Sequence, residues 1–314
     1  YYSKNVNILN EGTQVIEKPI IFDYDESKRE LMKSMIASNW SNYMGIFNDG
    51  IDVLDKIEPA VANSVYGGVK TITNAGTLTI KTLIDTQKTT SAHDPAIINM
   101  DGATLILDGA LLVGGCAERD ETYVHNDGTI KMLHSGIQGT LDNHDATIVD
   151  VCKDDKLSES EVEHLLNRPS DGCSTCGEKA AVVTIMKGAT LVIYDGINYA
   201  KGKIDNNGTL TIGDELTNNG VINNLGTVNG DVSNNKNGVI NNGNETTHAF
   251  LNGSMENSGI INAYNGTIET LVNSRSGVLN VWNAEGNSVR VNKRESKGEI
   301  VFKGVAAKHI DNGS

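Results

Sequence analysis

The five letters GVINN occur at residues 220–224 and again at residues 238–242. They belong to a series of glycines, Gly220, Gly238, Gly259, Gly277 and Gly298, whose steps are 18, 21, 18 and 21 residues. Two residues after each glycine stands an aliphatic side chain: Ile222, Ile240, Ile261, Leu279 and Ile300. Three residues after stands Asn in four copies, Asn223, Asn241, Asn262 and Asn280, then Val301 in the fifth. A strand this short cannot bury its own apolar face. Stacking identical units closes a core and pairs each backbone group with the copy above and below.

The signature runs upstream with longer steps. Gly76, Gly102 and Gly128 are 26 residues apart (NAGTLTI, DGATLIL, NDGTIKM), and Gly188 and Gly208 are 20 apart (KGATLVI, NNGTLTI). Gly12 and Gly50 read as two further copies. A second series, Gly226, Gly266 and Gly286, is offset within the period. In GTLTI, Leu and Ile face one side and the Thr residues the other. Asn and Gly tolerate positive φ and are expected to mark the corners.

The predicted fold is therefore all-β: a single parallel β-helix (β-solenoid) over 1–314, with coils of about 18–26 residues and roughly a dozen coils rising about 4.8 Å each. Its expected interior includes Leu78, Ile80, Leu105, Ile130, Leu191, Leu210, Ile222, Ile240, Ile261 and Leu279. Asn223, Asn241, Asn262 and Asn280 are expected to stack as an amide ladder at the corners. A leucine-rich repeat would need an L-x-x-L-x-L frame and a calcium-binding roll GGxGxD; neither is present.

Two segments break the rhythm and are expected as partly helical excursions. Within 23–44, the stretch DESKRELMKSMIASN carries Leu31, Met32, Met35 and Ile36 on one helical stripe. Within 151–179, Ser158 with Glu161 resembles a capping box, and Val162, Leu165 and Leu166 form a short stripe ending at Pro169. Long excursions on a rigid scaffold are where binding concentrates. The charged residues of the second, Glu159, Glu161, Glu163, His164 and Arg168, are the candidate partner-binding set. All four cysteines, Cys116, Cys152, Cys173 and Cys176, lie in this region or its approach. An even count in a secreted chain implies disulfides, with three possible pairings. Closing Cys152 to Cys173 would contribute about 3 kcal/mol. A zinc site using Cys173-x-x-Cys176 is the alternative, although Cys116 and Cys152 lack finger spacing.

Composition narrows the function. Net charge is −14, without a run of basic residues, so nucleic acid is not an expected partner. No stretch approaches a membrane span. The chain opens Tyr1-Tyr2-Ser3 and is expected to be a mature or excised piece. A polysaccharide-cleaving β-helix would need grouped carboxylates. Asp101, Asp108, Asp127, Asp142 and Asp145, with His125, His134 and His144, are the candidates, but Asp101 and Asp127 precede glycines as turn formers. No catalytic, cofactor-binding or metal role is assigned, and no enzyme is expected.

The coils NNGTLTI, NNGVINN and NSGIINA resemble the passenger domains of large autotransporter adhesins of Gram-negative bacteria, especially fusobacterial ones. That resemblance implies a secreted, surface-exposed β-helix that binds a host or bacterial surface protein or glycan. Phage tail fibres and extracellular sheath or filament subunits use similar coils. For a filament, self-association through the solenoid ends is expected.

Overall fold

The computed structural model describes residues 6–18, 20–21, 66–67, 69–85, 95–113, 123–151, 159–169, 179–282, 288–303 and 311–312. Among these residues the regular structure is all strand, with no helix. The chain divides into two compact units, Tyr1–Leu141 and Asp142–Ser314.

The first unit contains β1 (Val6–Asn10), β2 (Thr13–Ile16), β3 (Ile20–Ile21), β4 (Tyr66–Gly67), β5 (Val69–Asn74), β6 (Thr77–Ile80), β7 (Leu83–Asp85), β8 (Ile97–Asn99), β9 (Thr104–Asp108), β10 (Leu111–Val113), β11 (Tyr123–Asn126) and β12 (Thr129–Leu133). The division falls within β13 (Gly136–His144). The second unit contains β14 (Thr147–Asp150), β15 (Glu159–Arg168), β16 (Val182–Ile185), β17 (Thr190–Asn198), β18 (Lys203–Asn206), β19 (Thr209–Asn218), β20 (Val221–Asn224), β21 (Thr227–Asn234), β22 (Val239–Asn242), β23 (Ala249–Asn257), β24 (Ile260–Ala263), β25 (Gly266–Asn273), β26 (Val278–Trp282), β27 (Val289–Ser296), β28 (Glu299–Lys303) and β29 (Asp311–Asn312).

In the first unit a coil contributes three strands, as β5, β6 and β7 do. Each stacks in parallel on its counterpart in the next coil, so that Leu78 pairs with Leu105 and Leu105 with Ile130. In the second unit the short strands form one parallel stack, β14-β16-β18-β20-β22-β24-β26-β28. Ile148, Val183, Ile204, Ile222, Ile240, Ile261, Leu279 and Ile300 align along it. The other two sides of each coil merge there into one longer strand with a kink. Register shifts mark the kink between Ile193 and Gly196 and between Thr211 and Glu215. This is a parallel β-solenoid, as the glycine steps imply. All ten residues expected in the interior are at most 1% exposed.

Four expectations need correction or fall outside the described residues. The segment 159–168 is a strand, not a helix. Its buried residues are Ser160, Val162, Leu165 and Asn167, two alternating pairs separated at the kink by outward Glu163 and His164. That three-residue gap between Val162 and Leu165 imitates a helical stripe. The excursion at 23–44, Gly50, Gly286 and all four cysteines lie outside the described residues, and so does any pairing or metal site built on them.

The asparagine ladder forms, but in a different place. Asn241 donates to Asn223 at 2.7 Å, Asn262 to Asn241 at 2.8 Å and Asn280 to Asn262 at 2.8 Å. These side chains sit mid-strand on the outer face of the short-strand stack, not at the corners. The corners hold separate, fully buried ladders. In the first unit Asn10 donates to Asn74, Asn74 to Asn99 and Asn99 to Asn126, at 2.7–2.8 Å. In the second, one corner links Asn143, Asn167, Asn198, Asn218, Asn234, Asn257 and Asn273 at 2.7–2.9 Å. The other links Asn206, Asn224 and Asn242 at 2.8 Å and stops where Ala263 follows.

Some corner glycines take positive φ as expected, Gly102 at 77° and Gly188 at 83°, and others have a different cause. Gly76, Gly128, Gly220 and Gly226 are not among the positive-φ residues. They are needed because the coils approach closely: a Cβ on Gly226 would lie 2.0 Å from the Gly208 carbonyl oxygen. The N-x-G spelling joins both requirements, since the Asn224 side chain accepts from the Gly226 N–H at 3.2 Å while its amide donates to the next coil.

Candidate partner-binding surface

The five candidate residues come together because β15 is a rung of the stack. Glu159, Glu161, Glu163, His164 and Arg168 all point away from the interior and are half-buried along the outer wall. Parallel pairing places Glu159 beside Thr190, Glu161 beside Val192 and His164 beside Asp195 of β17. His164 Nδ1 lies 2.7 Å from the Asp195 carboxylate, and the Tyr194 ring stands edge-on at 6.4 Å. Arg168 lies over the Tyr199 ring at 5.1 Å, with its Nε 3.8 Å from Asp142. Tyr194 itself is 54% exposed.

The three glutamates repel one another. The Glu161 carboxyl is pushed up to about 7, first by partial burial and then by the charges of Glu159 and Glu163. A second raised carboxyl lies inside the solenoid. Asp150, 0% exposed, ends β14 at a corner position where its register neighbour is Ile185. Burial pushes it to about 7, and the nearby Ser160 hydroxyl offsets only part of this. No described group stands in hydrogen-bonding geometry on either Asp150 oxygen.

The carboxylates and histidines weighed for catalysis are placed as follows. Asp101 is an exposed turn residue. Asp108 lies 3.9 Å from the Lys81 ammonium, and His125 Nε2 lies 3.0 Å from Asp127, both in the first unit. In the second unit His144 Nδ1 is 4.0 Å from Asp145, which has φ 53° and whose N–H donates to the Arg168 carbonyl. His134, in the first unit, has φ 48°.

Sequence reasoning missed a second group of outward side chains near the end of the second unit. Tyr264 and Trp282 stack at 5.6 Å with 20° between planes, and the Lys303 ammonium covers Trp282 at 5.2 Å. They are neighbours because β24, β26 and β28 are in register. His248 hydrogen-bonds Asn265 and Thr267 and packs against Phe250, which is 41% exposed. The signal was available: aromatics are 5% of the chain, so each one at an outward position is informative.

Stacked in-register coils, buried amide corners and a polar outer wall define the class: this is a parallel β-solenoid protein. Comparison with protein-family models, curated proteins and solved structures finds no match to the chain.

Proposed function

We propose that the protein is a non-catalytic, secreted or cell-surface β-solenoid that serves as an adhesive or structural scaffold. The observation that carries this reading is where its polar groups are used. The corner amides are spent on bonds from coil to coil, which stiffen a long stack. The outer wall of the second unit repeats Thr and Asn and adds exposed rings, Tyr194, Phe250 and Trp282, each beside a second ring. Aromatic anchors among polar residues suit recognition of a surface protein or glycan. The β15 set supplies the charged part of that surface.

The test pairs two assays. Binding of the purified chain to cells and to arrays of surface proteins and glycans is compared with a variant carrying Glu159→Ala, Glu163→Ala and Arg168→Ala. Lost binding with unchanged circular dichroism supports the reading. Equal binding removes β15 from it. Polysaccharides are also screened for new reducing ends or unsaturated products. Turnover abolished by a single Asp substitution overturns the non-catalytic reading in favour of a glycan-cleaving β-helix.

A second reading, a filament or fibre subunit stacking end to end, draws on β2 and β28. Each has a single partner strand among the described residues, and an open strand edge is a template for another chain.

A further inference from the structure

Asn-Gly is a chemically fragile pair, because the glycine nitrogen, unhindered by a side chain, can reach the asparagine Cγ. Seven such pairs have both residues described, all of them in the second unit. The fold treats them unequally. Asn242 is buried in a corner ladder, where Asn224 donates to it at 2.8 Å. Asn219 accepts from Asn235, Asn252 donates to Asn229, and Asn265 meets His248. Of the seven, only Asn207 and Asn237 are exposed with a side-chain amide that makes no hydrogen bond to a described residue.

Those two differ in how the backbone around them is held. Asn207 sits alone between Asn206 and Gly208. Its N–H donates to the Ile185 carbonyl at 2.8 Å, the Gly208 N–H donates to the buried Asn206 side chain at 3.1 Å, and the Thr209 N–H donates to the Ala189 carbonyl at 2.9 Å. Asn237 belongs to a longer corner. Asn218-Asn219-Gly220 turns with one intervening residue, whereas Asn234-Asn235-Lys236-Asn237-Gly238 turns with three. Bonds to the previous coil are made by Asn235, to Asn218, and next by Val239, to Gly220. Between them Lys236 and Asn237 are exposed and make none. The Gly238 N–H closes the turn on the Asn235 carbonyl at 2.8 Å. The same turn recurs where Gly202 bonds Tyr199 at 2.8 Å and Gly277 bonds Ser274 at 3.0 Å, but there Lys201 and Ser276 precede the glycine. Breaking one exposed turn bond therefore frees the Gly238 nitrogen while the ladder bonds of Asn234 stay in place.

We propose that Asn237 is a modification site: it deamidates spontaneously in the folded protein, ahead of every other described Asn-Gly pair. The Gly238 nitrogen gives up its proton and bonds to the Asn237 Cγ, and the side-chain nitrogen leaves as ammonia, which closes a succinimide ring. Water then opens the imide at either carbonyl. One opening leaves an aspartate, and the other leaves an isoaspartate whose main chain is longer by a methylene. Water is the only co-reactant. Either product adds a negative charge to the corner. The isoaspartate also pushes on Gly238, which is already pressed against its neighbours: a Cβ there would lie 2.3 Å from the Asn234 Oδ1 and 2.4 Å from the Asn218 carbonyl oxygen. The change is thus delivered to a corner ladder. The inference stands apart from whether the protein adheres to cells.

The experiment is peptide mapping by mass spectrometry after the full chain is incubated at mildly alkaline pH. Isoaspartate is read separately in each peptide with an isoaspartyl methyltransferase used as a reagent. One arm keeps the chain folded and the other unfolds it in urea. In urea the Asn-Gly pairs are expected to react at similar rates, because only the local sequence acts. In the folded chain Asn237 is expected to react about tenfold or more faster than each of the other six, since a turn opens locally while the others need neighbouring coils to part. Asn237→Gln is expected to remove both the mass change and the methyl-accepting signal of this peptide, because the longer side chain does not close the same ring. A folded chain in which Asn237 reacts no faster than Asn207, or in which another described pair leads, overturns the proposal. So does an Asn237 that stays intact in the folded chain while the urea arm reacts.

Discussion

A buried asparagine is an expensive residue unless both ends of its amide are used. In Asn234 they are: its Oδ1 accepts from Asn218 at 2.8 Å and its Nδ2 donates to Asn257 at 2.7 Å. Asn234→Ala strands groups on both neighbouring coils, with a cost of about 1–3 kcal/mol for each unsatisfied group. Urea denaturation should show a loss of about 3 kcal/mol, whereas Asn235→Ala, at the exposed bond to Asn219, should stay within about 0.5 kcal/mol. Equal effects would refute a structural role for the ladder. Asp150 makes the complementary case. Its carboxyl titrates near 7 in the fold against an ordinary value of 3.8. The folded state therefore holds this proton more tightly than the unfolded chain. Its contribution is full below about pH 4 and is lost as pH rises to about 7, by up to about 4 kcal/mol at 1.36 kcal/mol per pH unit. Asp150→Asn should flatten that part of the stability–pH curve and raise stability at pH 8. Superimposable curves for the two proteins would show that the carboxyl is not buried as described.

At the scale of elements, the distance between coils is the governing quantity. Gly226→Ala would drive a methyl into the Gly208 carbonyl at 2.0 Å. Because both groups are backbone, the coils themselves must separate. Gly102→Ala meets open space, although its φ is 77°, and should cost only about 1 kcal/mol. The Gly226 substitution should lower the thermal midpoint several times more than the Gly102 one. Strand β15 is a second element with a measurable signature. If 159–168 is a rung of the stack, the amides of Val162, Leu165 and Asn167 should exchange as slowly as Ile193, Ile197 and Asn198 on β17. Exchange within seconds would return this segment to an exposed excursion.

For the whole molecule, the repeat allows surgery that an ordinary globular domain would not survive. Removing residues 220–237 joins Asn219 to Gly238 and keeps the N-x-G corner, because Gly238 stands where Gly220 stood in the register. That deletion should leave a strand-dominated circular dichroism spectrum and a modest loss of stability, as expected when coils contribute nearly independently. Removing only 220–228 takes out half a coil, misplaces the corner amides and should abolish cooperative unfolding. The sequence by itself determined the coil: glycine steps of 18 and 21, alternating Leu, Ile and Thr, and a core of small and β-branched side chains are local patterns that only stacking can satisfy. It determined the ten interior residues for the same reason, since strand alternation is set within a few residues. Tertiary structure alone decided what depends on the neighbouring coil. Two consecutive asparagines in GVINN read alike, yet Asn223 lies on the outer face and Asn224 inside at the corner, because strand alternation runs on to Asn224, the last residue of β20, and only the stack decides which face is inward. The stripe at Val162 and Leu165 fits a helix as well as a kinked strand until β17 supplies its hydrogen bonds.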